Sequence, residues 1–361
     1  METKKTARKP YPVDIVVQND IKEIYGPFAA KHHARYHEAQ TPYHLITRTF
    51  QGLALMTPTA AFTDIVAGVF GRALTIYPGV TLYAWALLNN HLHLCGQGGP
   101  DQIPAFMAYV KREISRRWAW EIGWQDTMWS AGYLSTALPT AQSQEACLEY
   151  ILSQGVKEKI TERPQQWRGF HFARAFLDGE RVVGRWLNGT TYGKARWKQQ
   201  QKPVDKRRHI DKAKHTVNYE VPLGTIPAWS GLSAQDLQAN KLAMLGRVVQ
   251  KGEQLRKGAP PLGFGYALRL PRTTRWQMPK PPWFEERRRM ICWASPHAEE
   301  TKAYLLRYWA FQRSYRAASD RCRDGRTGVE FPPGSFLPPR FVRATVSVSP
   351  DGANPIPASA A

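Results

Sequence analysis

Alternating runs of apolar and polar residues divide the first half of the chain into segments of strand and helix type. Segments rich in β-branched and aromatic residues predict three strands, at 43–50, 81–94 and 128–138. Apolar residues at helical spacing predict three helices, at 59–74, 101–120 and 143–157, the last capped by Ser143. The order βαβαβα favours an α/β fold of the α+β sandwich type, one sheet with helices packed against it.

Beyond residue 165 the pattern changes to basic residues mixed with Gly, Gln, Trp and Pro. A helical pattern returns at 233–257 and again at 297–322. The predicted organisation is a flexible basic lead-in at 1–30, a compact domain at 31–165, a basic linker region at 166–232, a basic, mostly helical region at 233–345 and a disordered tail at 346–361.

Charge is distributed very unevenly along the 361 residues, whose net charge is +21. Residues 1–164 carry 16 Lys/Arg against 14 Asp/Glu, a net charge of +2, whereas residues 165–361 carry 34 against 15, a net charge of +19. Each phosphate that a Lys or Arg neutralises releases counterions, so the natural partner of such a surface is nucleic acid. An anionic membrane is disfavoured, because no amphipathic helix here has a bare apolar face beside its charges.

The cysteines and the apolar segments indicate the compartment. The four cysteines form no C-x-x-C pair, which argues against a zinc ribbon or a disulfide framework and favours a reducing environment. No uncharged apolar stretch reaches the roughly 18 residues of a membrane span, and no apolar segment follows the basic N-terminus as in a secretory signal. We therefore expect a soluble, cytoplasmic and nucleoid-associated protein with no membrane partner.

The segment TLYAWALLNNHLHLCG (81–96) ends in two closely spaced histidines. Side chains alternate along a strand, so His91 and His93 are predicted to share one face with Tyr83 and Trp85, opposite the apolar even positions. Two neutral imidazoles placed in this way can hold one divalent ion. The plain alternative is a pair of ordinary packed histidines. Cys95 would join them as a zinc ligand only in a regular strand, and we prefer a structural role for it.

The sequence EYILSQ places Tyr150 and Gln154 at positions i and i+4 of a predicted helix, on one face. A tyrosine hydroxyl can act as a nucleophile, and an amide oxygen one turn later can complete the ligand set of a metal. This spacing alone is common in helices, so its weight comes from its combination with the histidine pair. Tyr109, which is followed at i+4 by Glu113, and Tyr133 are the rival tyrosines.

These motifs, in this order, resemble the single-tyrosine HUH transposases, among them the REP-associated tyrosine transposases. The HUH triplet is here His91-Leu92-His93, and Asn90 matches an asparagine that often precedes it. The stretch PYHLITRTFQG (42–52) is similar to the first strand of the family. A single tyrosine after the histidine pair favours the transposase branch over relaxases and replication initiators.

Two further positions bear on the resemblance, which covers residues 40–165. Trp129 and the Gly132-Tyr133 pair are similar to the strand that precedes the nucleophile helix in the family. Asn89 departs from the pattern, because many members have proline there.

The resemblance implies a ferredoxin-like or RRM-like domain, with helices on one face of an antiparallel sheet. It implies that His91, His93 and Gln154 bind Mg²⁺ or Mn²⁺ and that Tyr150 is the nucleophile, giving a 5′-phosphotyrosine and a free 3′-hydroxyl. The implied partners are single-stranded DNA, commonly with a hairpin, and a second copy in a homodimer, with no small-molecule cofactor. The implied activity is DNA transposition or repeat mobilisation. His44, equally well explained as a plain strand histidine, and Asn90 are candidates for contacts that orient the ligands.

DNA contacts are predicted at two places. Tyr83 and Trp85 suit stacking on unpaired bases, and equally suit packing beneath a helix. In YLLRYWAFQRSYR (304–316), three arginines suited to phosphate contact interleave with aromatic residues, most of which we expect in the core. These arginines are Arg307, Arg313 and Arg316.

Two other classes of function stand beside the transposase. The main alternative is a non-catalytic DNA- or RNA-binding protein that retains the HUH sheet, against which the intact set of tyrosine, histidines and glutamine argues. The other is a metal-dependent enzyme unrelated to nucleic acid, against which the charge of the second half argues.

Overall fold

A computed structural model describes residues 33–130, 132–275, 291–293, 298–337 and 345–346. The predicted lead-in at 1–30 lies outside the described residues, as does the predicted tail except for Val346.

A four-stranded sheet forms the centre of the molecule. Its strands are β1 (Tyr43–Arg48), β2 (Thr81–Leu87), β3 (His91–Gln97) and β4 (Leu134–Ala137). Their spatial order is β2-β3-β1-β4, and every neighbouring pair is antiparallel. The predicted α/β class, with helices packed against an antiparallel sheet, is confirmed.

Three helices of the first half accompany this sheet: α1 (Ala60–Ile76), α2 (Gln102–Glu121) and α3 (Ala141–Leu152). The Thr59 hydroxyl caps α1 by accepting a hydrogen bond from the backbone N–H of Phe62. At the start of α3, Thr140 and Ser143 form a capping box, so the cap is Thr140 and not the predicted Ser143.

The two faces of the sheet differ in chemistry. Cross-strand partners share a face, so Leu45, Trp85 and Leu94 lie together on what we call the leucine face. His44 and Cys95 are partners on the opposite, histidine face.

Helix α1 belongs to the leucine face, where Phe170 contacts both Trp85 and Phe70 of α1. Helix α3 lies on the histidine face, where the thiol of Cys147 contacts that of Cys95. Helices therefore pack on both faces of the sheet, and the expected placement on one face is wrong.

The segment 81–94, predicted as one strand, is a β-hairpin. The chain turns at residues 88–90, where the backbone N–H of Leu88 donates to the carbonyl of His91 at 2.9 Å. A bulge between Leu82 and Ala84 shifts the register of β2 as well. The alternation of faces cannot be carried through a bulge and a turn. The prediction that Trp85 shares a face with the histidines is therefore wrong.

The second half contributes helices α4 (Ala173–Asp178), α5 (Gly189–Gln200), α6 (Ala234–Arg256), α7 (Phe264–Arg269) and α8 (Ala298–Arg323) and strands β5 (Val182–Leu187), β6 (Thr216–Val221), β7 (Glu330–Phe331) and β8 (Thr345–Val346). Strands β5 and β6 form an antiparallel pair within the region predicted as a linker, and β7 and β8 form a parallel pair. Among the described residues, every helix is too short or too polar to cross a membrane.

Glycines allow β5 and β6 to pack closely on α1. A Cβ atom at Gly184 of β5 would lie 2.0 Å from the backbone nitrogen of Gly68, and one at Gly71 would lie 2.6 Å from Cβ of Tyr219. On its other side, Phe70 of α1 contacts Phe170, which stacks on Trp85 of the sheet. Helix α1 is thus enclosed between the central sheet and a second, two-stranded sheet.

Candidate functional site

The histidine face brings together the residues that the sequence motifs single out. His91 and His93 lie on β3, and His44 lies beside them on β1. Gln154 and Tyr150 approach from the end of α3. The histidines and Gln154 are buried, whereas Tyr150 is half-buried.

His91 lies between two amide oxygens. Its Nδ1 is 2.6 Å from Oδ1 of Asn90, and its Nε2 is 3.4 Å from Oε1 of Gln154. Both amides are oriented by their own donors, because Nδ2 of Asn90 bonds to the carbonyl of Gly52 and Nε2 of Gln154 bonds to that of Tyr150, each at 3.0 Å. Oxygen acceptors therefore face both ring nitrogens.

The position of the single N–H proton of neutral His91 determines whether a cation can bind between His91 and Gln154. A neutral imidazole carries one N–H, and the shorter contact places it on Nδ1, donating to Asn90. Nε2 of His91 then presents a lone pair towards a lone pair of Gln154, which a cation shared by the two atoms would stabilise. Two ligands at about 2.1 Å from one ion lie at most about 4.2 Å apart, and the observed 3.4 Å satisfies that limit.

His93 has an analogous partner. Its Nδ1 lies 3.0 Å from Nε2 of His44, so one imidazole donates to the other. When His93 is the donor, its Nε2 is left unprotonated. The ring centroids of His93 and His91 are 4.9 Å apart. Metal-binding histidines commonly have the other ring nitrogen engaged in this way. His44 and Asn90 thus each engage the Nδ1 atom of one histidine of the pair.

The electrostatic environment keeps these imidazoles neutral. Burial, followed by the charge of Lys157, lowers the pKa of His44 and of His91 to about 3. Burial and the neighbouring imidazoles lower the pKa of His93 well below its usual value. Neutral imidazole is the form that binds a metal.

Tyr150 packs against the histidine cluster. Its ring meets those of His93 and His44 edge to face, with centroids 5.4 and 5.7 Å away. The ammonium of Lys157 lies 4.0 Å from the centre of the Tyr150 ring, a cation–π contact. This places a positive charge beside the phenol.

Gln154 reaches the site by a different route from the one predicted. Helix α3 ends at Leu152 rather than near 157, and the turn beyond it includes Gly155 in the left-handed region, with φ of 87°. The amide of Gln154 bonds back to the carbonyl of Tyr150, while its oxygen points to His91. The prediction of one continuous helical face is wrong, although both residues reach the cluster.

Sequence reasoning missed Lys157 and Trp293. The indole of Trp293 stacks on His44, with centroids 5.5 Å apart and an interplanar angle of 10°, and it also contacts Tyr150. Residues 291–293 pair with β4, since the N–H of Trp293 donates to the carbonyl of Ala137 at 3.0 Å. No local pattern around Trp293 signals this pairing, which joins positions far apart in the chain.

Few side chains of the histidine face could bind a metal ion, and those few are uncharged. Within the described ranges, no three His, Cys, Asp or Glu side chains form a group arranged to hold a metal ion. Of the three histidines on the histidine face, His44 directs its Nε2 to His93, so the candidate ligands are His91, His93 and the amide oxygen of Gln154. Such a neutral set fits a divalent ion that also takes ligands from water and from a phosphate.

The predicted stacking residues of β2 are buried. Trp85 is fully enclosed on the leucine face between Phe170 and Phe172. Tyr83, in the bulge, is 6% exposed and donates its hydroxyl hydrogen to Gln97. Neither ring is available to a nucleic-acid base, because neighbouring segments already cover it. The alternative of packing is the correct one.

The three predicted arginines of α8 are exposed. Arg307 forms a bidentate ion pair with Glu38, at 2.6 and 3.2 Å. Nearby, Tyr36 packs on Phe311. Arg307 thus attaches the segment 33–38 to α8, and its DNA contact stays a prediction. Arg313 and Arg316 also have interaction partners.

The rival tyrosines lie away from the cluster. The hydroxyl of Tyr109 accepts a hydrogen bond from Arg72, and its ring stacks near Trp186 of β5, beyond the leucine face. Tyr133 immediately precedes β4 and lies under the guanidinium of Arg35, 4.0 Å from the ring centre. Tyr150 alone among these three contacts His93.

Comparisons with known proteins add little to this geometry. The chain matches no known family profile, and no curated protein is significantly similar to it. One solved structure, described as "Structure of the REP associates tyrosine transposase bound to a REP hairpin", is similar over 41% of this chain and 86% of that one, with 13% identity and a TM-score of 0.35. A likeness of this size indicates nothing about function.

Proposed function

We propose that the protein nicks and rejoins single-stranded DNA, with Tyr150 as the nucleophile. One observation carries the proposal: His91 and His93 each have Nδ1 engaged, by Asn90 and by His44, beside the Tyr150 ring. With both protons on Nδ1, the two Nε2 atoms present lone pairs that can bind a metal next to a phenol.

The same proposal assigns Mg²⁺ or Mn²⁺ to His91, His93 and Gln154. When bound, such an ion polarises the scissile phosphate and stabilises negative charge on its oxygens. Because all three protein ligands are neutral, the negative charge of the DNA phosphate is not opposed by a carboxylate. The amide of Gln154, held by the carbonyl of Tyr150, couples the ligand set to the nucleophile through one hydrogen bond.

The chemistry at Tyr150 is a transesterification. Its hydroxyl oxygen attacks phosphorus, the bond to the 3′ oxygen breaks, and the phenol proton is lost as the 3′-hydroxyl forms. The product is a 5′-phosphotyrosine, so the phosphodiester is conserved and no nucleotide cofactor is needed. The Lys157 ammonium beside the ring stabilises the negative charge that develops there. Attack by another 3′-hydroxyl reverses the step and joins two strands.

Metal dependence is tested with hairpin-containing oligonucleotides taken from the DNA that flanks the gene. Nicking should stop in EDTA and return with Mg²⁺ or Mn²⁺. His91→Gln should abolish nicking and Mn²⁺ binding measured by calorimetry, whereas His37→Gln, which alters another buried histidine, should preserve both. Unchanged cleavage in chelator would remove the metal from the proposal.

The nucleophile is tested by trapping the covalent adduct and mapping it by peptide mass spectrometry. The DNA 5′-phosphate should be found on Tyr150, and Tyr150→Phe should lose the adduct while retaining DNA binding. Tyr133→Phe is the matched control. An adduct on another tyrosine refutes the assignment. Cleavage without any adduct would mean a hydrolytic nuclease, and DNA or RNA binding without cleavage would mean the non-catalytic alternative.

A further inference from the structure

The chain between β5 and β6, residues 188–215, forms an exposed and strongly basic projection that we call the basic arm. We infer that the basic arm binds the phosphate backbone of single-stranded DNA and that Trp197 stacks on an unpaired base. The inference rests on the proposed function for the type of strand. The arm contains nine Lys/Arg and two Asp, a net charge of +7 out of +21 for the whole chain.

All nine basic side chains of the arm are exposed: Lys194, Arg196, Lys198, Lys202, Lys206, Arg207, Arg208, Lys212 and Lys214. Within the part of the chain that the structure describes, none of them forms an ion pair. Basic residues elsewhere are partly neutralised, as Arg247 and Lys251 are by Glu149. The nine cationic side chains of the arm are therefore solvated and accessible to an external polyanion.

The region predicted as a basic linker is folded here, because the arm contains α5 and is closed by hydrogen bonds. The side chain of Asn188 caps α5 by accepting from the N–H of Thr191, and the N–H of Asn188 donates to the carbonyl of His215 at 2.8 Å. The guanidinium of Arg207 donates to the carbonyls of Lys202 and Gln200 near the end of α5. These bonds hold the backbone of the arm and the guanidinium of Arg207 in place before any ligand arrives, which lowers the entropic cost of binding.

Trp197 projects into solvent and not into the core. Helix α5 has no buried residue, and Trp197 is 61% exposed. Lys194 precedes it by three residues, on the same side of the helix, and Lys198 follows it directly. An exposed indole among cations suits a stacked base flanked by phosphates, since stacking on an aromatic side chain is favourable for any base.

The same features disfavour an acidic protein as the partner. Protein interfaces have an apolar centre, and the arm exposes only Trp197 and Val204 as large apolar side chains. Phosphate contacts need no such centre, because released counterions supply the free energy.

The place of the arm in the fold suggests which part of the DNA it contacts. The arm projects from β5 and β6, which pack on the side of α1 opposite the sheet, whereas the candidate site lies on the histidine face. A strand that reaches both must pass around the sheet and past α1, itself about 10 Å thick. The arm therefore holds DNA that flanks the cut.

The test measures binding of full-length protein to unstructured oligo-dT in EDTA, where no cutting is expected, by fluorescence anisotropy over a range of salt. The variant Lys194→Gln/Lys198→Gln/Lys202→Gln should reduce the slope of log affinity against log salt by about 2, at about 0.7 per lost contact. Trp197→Leu should weaken binding roughly fivefold or more with an unchanged slope.

The matched control removes three exposed arginines outside the arm, Arg168→Gln/Arg269→Gln/Arg272→Gln. Equal losses in the two triple variants would refute an arm-specific site, and so would competition by polyglutamate as effective as that by oligo-dT. Nicking is assayed separately. Cutting that persists without arm-dependent binding refutes only the arm, and arm-dependent binding without cutting refutes only the proposed active site.

Discussion

At the scale of single residues, the hydrogen-bond partners of the histidine Nδ1 atoms determine whether the Nε2 atoms are unprotonated and able to bind a metal. Asn90→Ala removes the acceptor that holds the proton of His91 on Nδ1. We expect Mn²⁺ affinity, measured by calorimetry, to fall about 10- to 100-fold, as is usual when a group that orients a ligand is lost. Asn89→Ala is the neighbouring control, because the Asn89 amide bonds to the carbonyl of Ala267 and not to a histidine. Equal affinities for the two variants would contradict this role of Asn90.

His37 gives a second prediction, on stability against pH. Burial, and then the charge of Arg35, lowers the pKa of folded His37 to about 3, whereas the unfolded value is about 6.5. As the pH falls below about 6.5, only the unfolded chain gains this proton, so stability is lost at up to about 1.4 kcal/mol per pH unit. In urea titrations, His37→Gln should flatten the decline between pH 6.5 and 4. The same change at exposed His209 should not.

Residue spacing predicts the part of the site whose residues lie close together in the sequence. The triplet His91-Leu92-His93 and the interval from Tyr150 to Gln154 are short enough to be recognised without a structure. Trp293 reaches the site only because residues 291–293 pair with β4, more than a hundred positions earlier. That pairing depends on tertiary structure and leaves no pattern in the residues around it.

At the scale of elements, apolar periodicity predicts where helices lie better than it predicts strand topology. Helix α1 starts within one residue of its predicted start, because Thr59 caps it and its apolar spacing is regular. The hairpin of β2 and β3 reads as one strand, since Asn89-Asn90 lacks the glycine of the usual turn signals. Strands β5 and β6 escape notice because a 28-residue basic insertion, 188–215, separates two partners only six residues long.

The packing of β5 on α1 gives a prediction at this scale. Gly184→Ala would place a methyl group 2.0 Å from the backbone nitrogen of Gly68, which side-chain rotation cannot relieve. We expect a loss of about 1–3 kcal/mol or more in the free energy of unfolding, measured by chemical denaturation. The control is Gly193→Ala in α5, where the added methyl meets nothing within 4 Å. It should be neutral or stabilising by about 0.5–1 kcal/mol. Equal stabilities would contradict the close approach.

At the scale of the whole molecule, the hydrophobic core does not stop where the composition changes. One buried cluster extends from Tyr43 to Tyr308 and includes aromatic residues from both halves. From the second half, Phe170 and Phe172 cover Trp85, and Trp186 packs beside Tyr109. The net charge thus changes near residue 165, whereas the buried core continues across that position.

A fragment ending at residue 165 should therefore not fold on its own. It would lose Phe170, Phe172 and Trp186 from the core, each contributing about 1.5–3 kcal/mol when buried, and this total rivals the 5–15 kcal/mol that typically stabilises a domain. We expect such a fragment to aggregate or to melt without cooperativity in circular dichroism. A soluble fragment with a sharp melting transition would contradict the shared core.

Removal of the basic arm, in contrast, should leave the rest of the chain folded. The N–H of Asn188 already bonds to the carbonyl of His215, so a short Gly-Ser loop can join these two positions in place of residues 189–214. Helix α5 has no buried residue, and we expect the shortened chain to melt within a few degrees of the full chain. Its binding to oligo-dT should weaken, with a shallower dependence on salt. Loss of cooperative melting in this variant would mean that the arm belongs to the folded core and is not a surface built for binding.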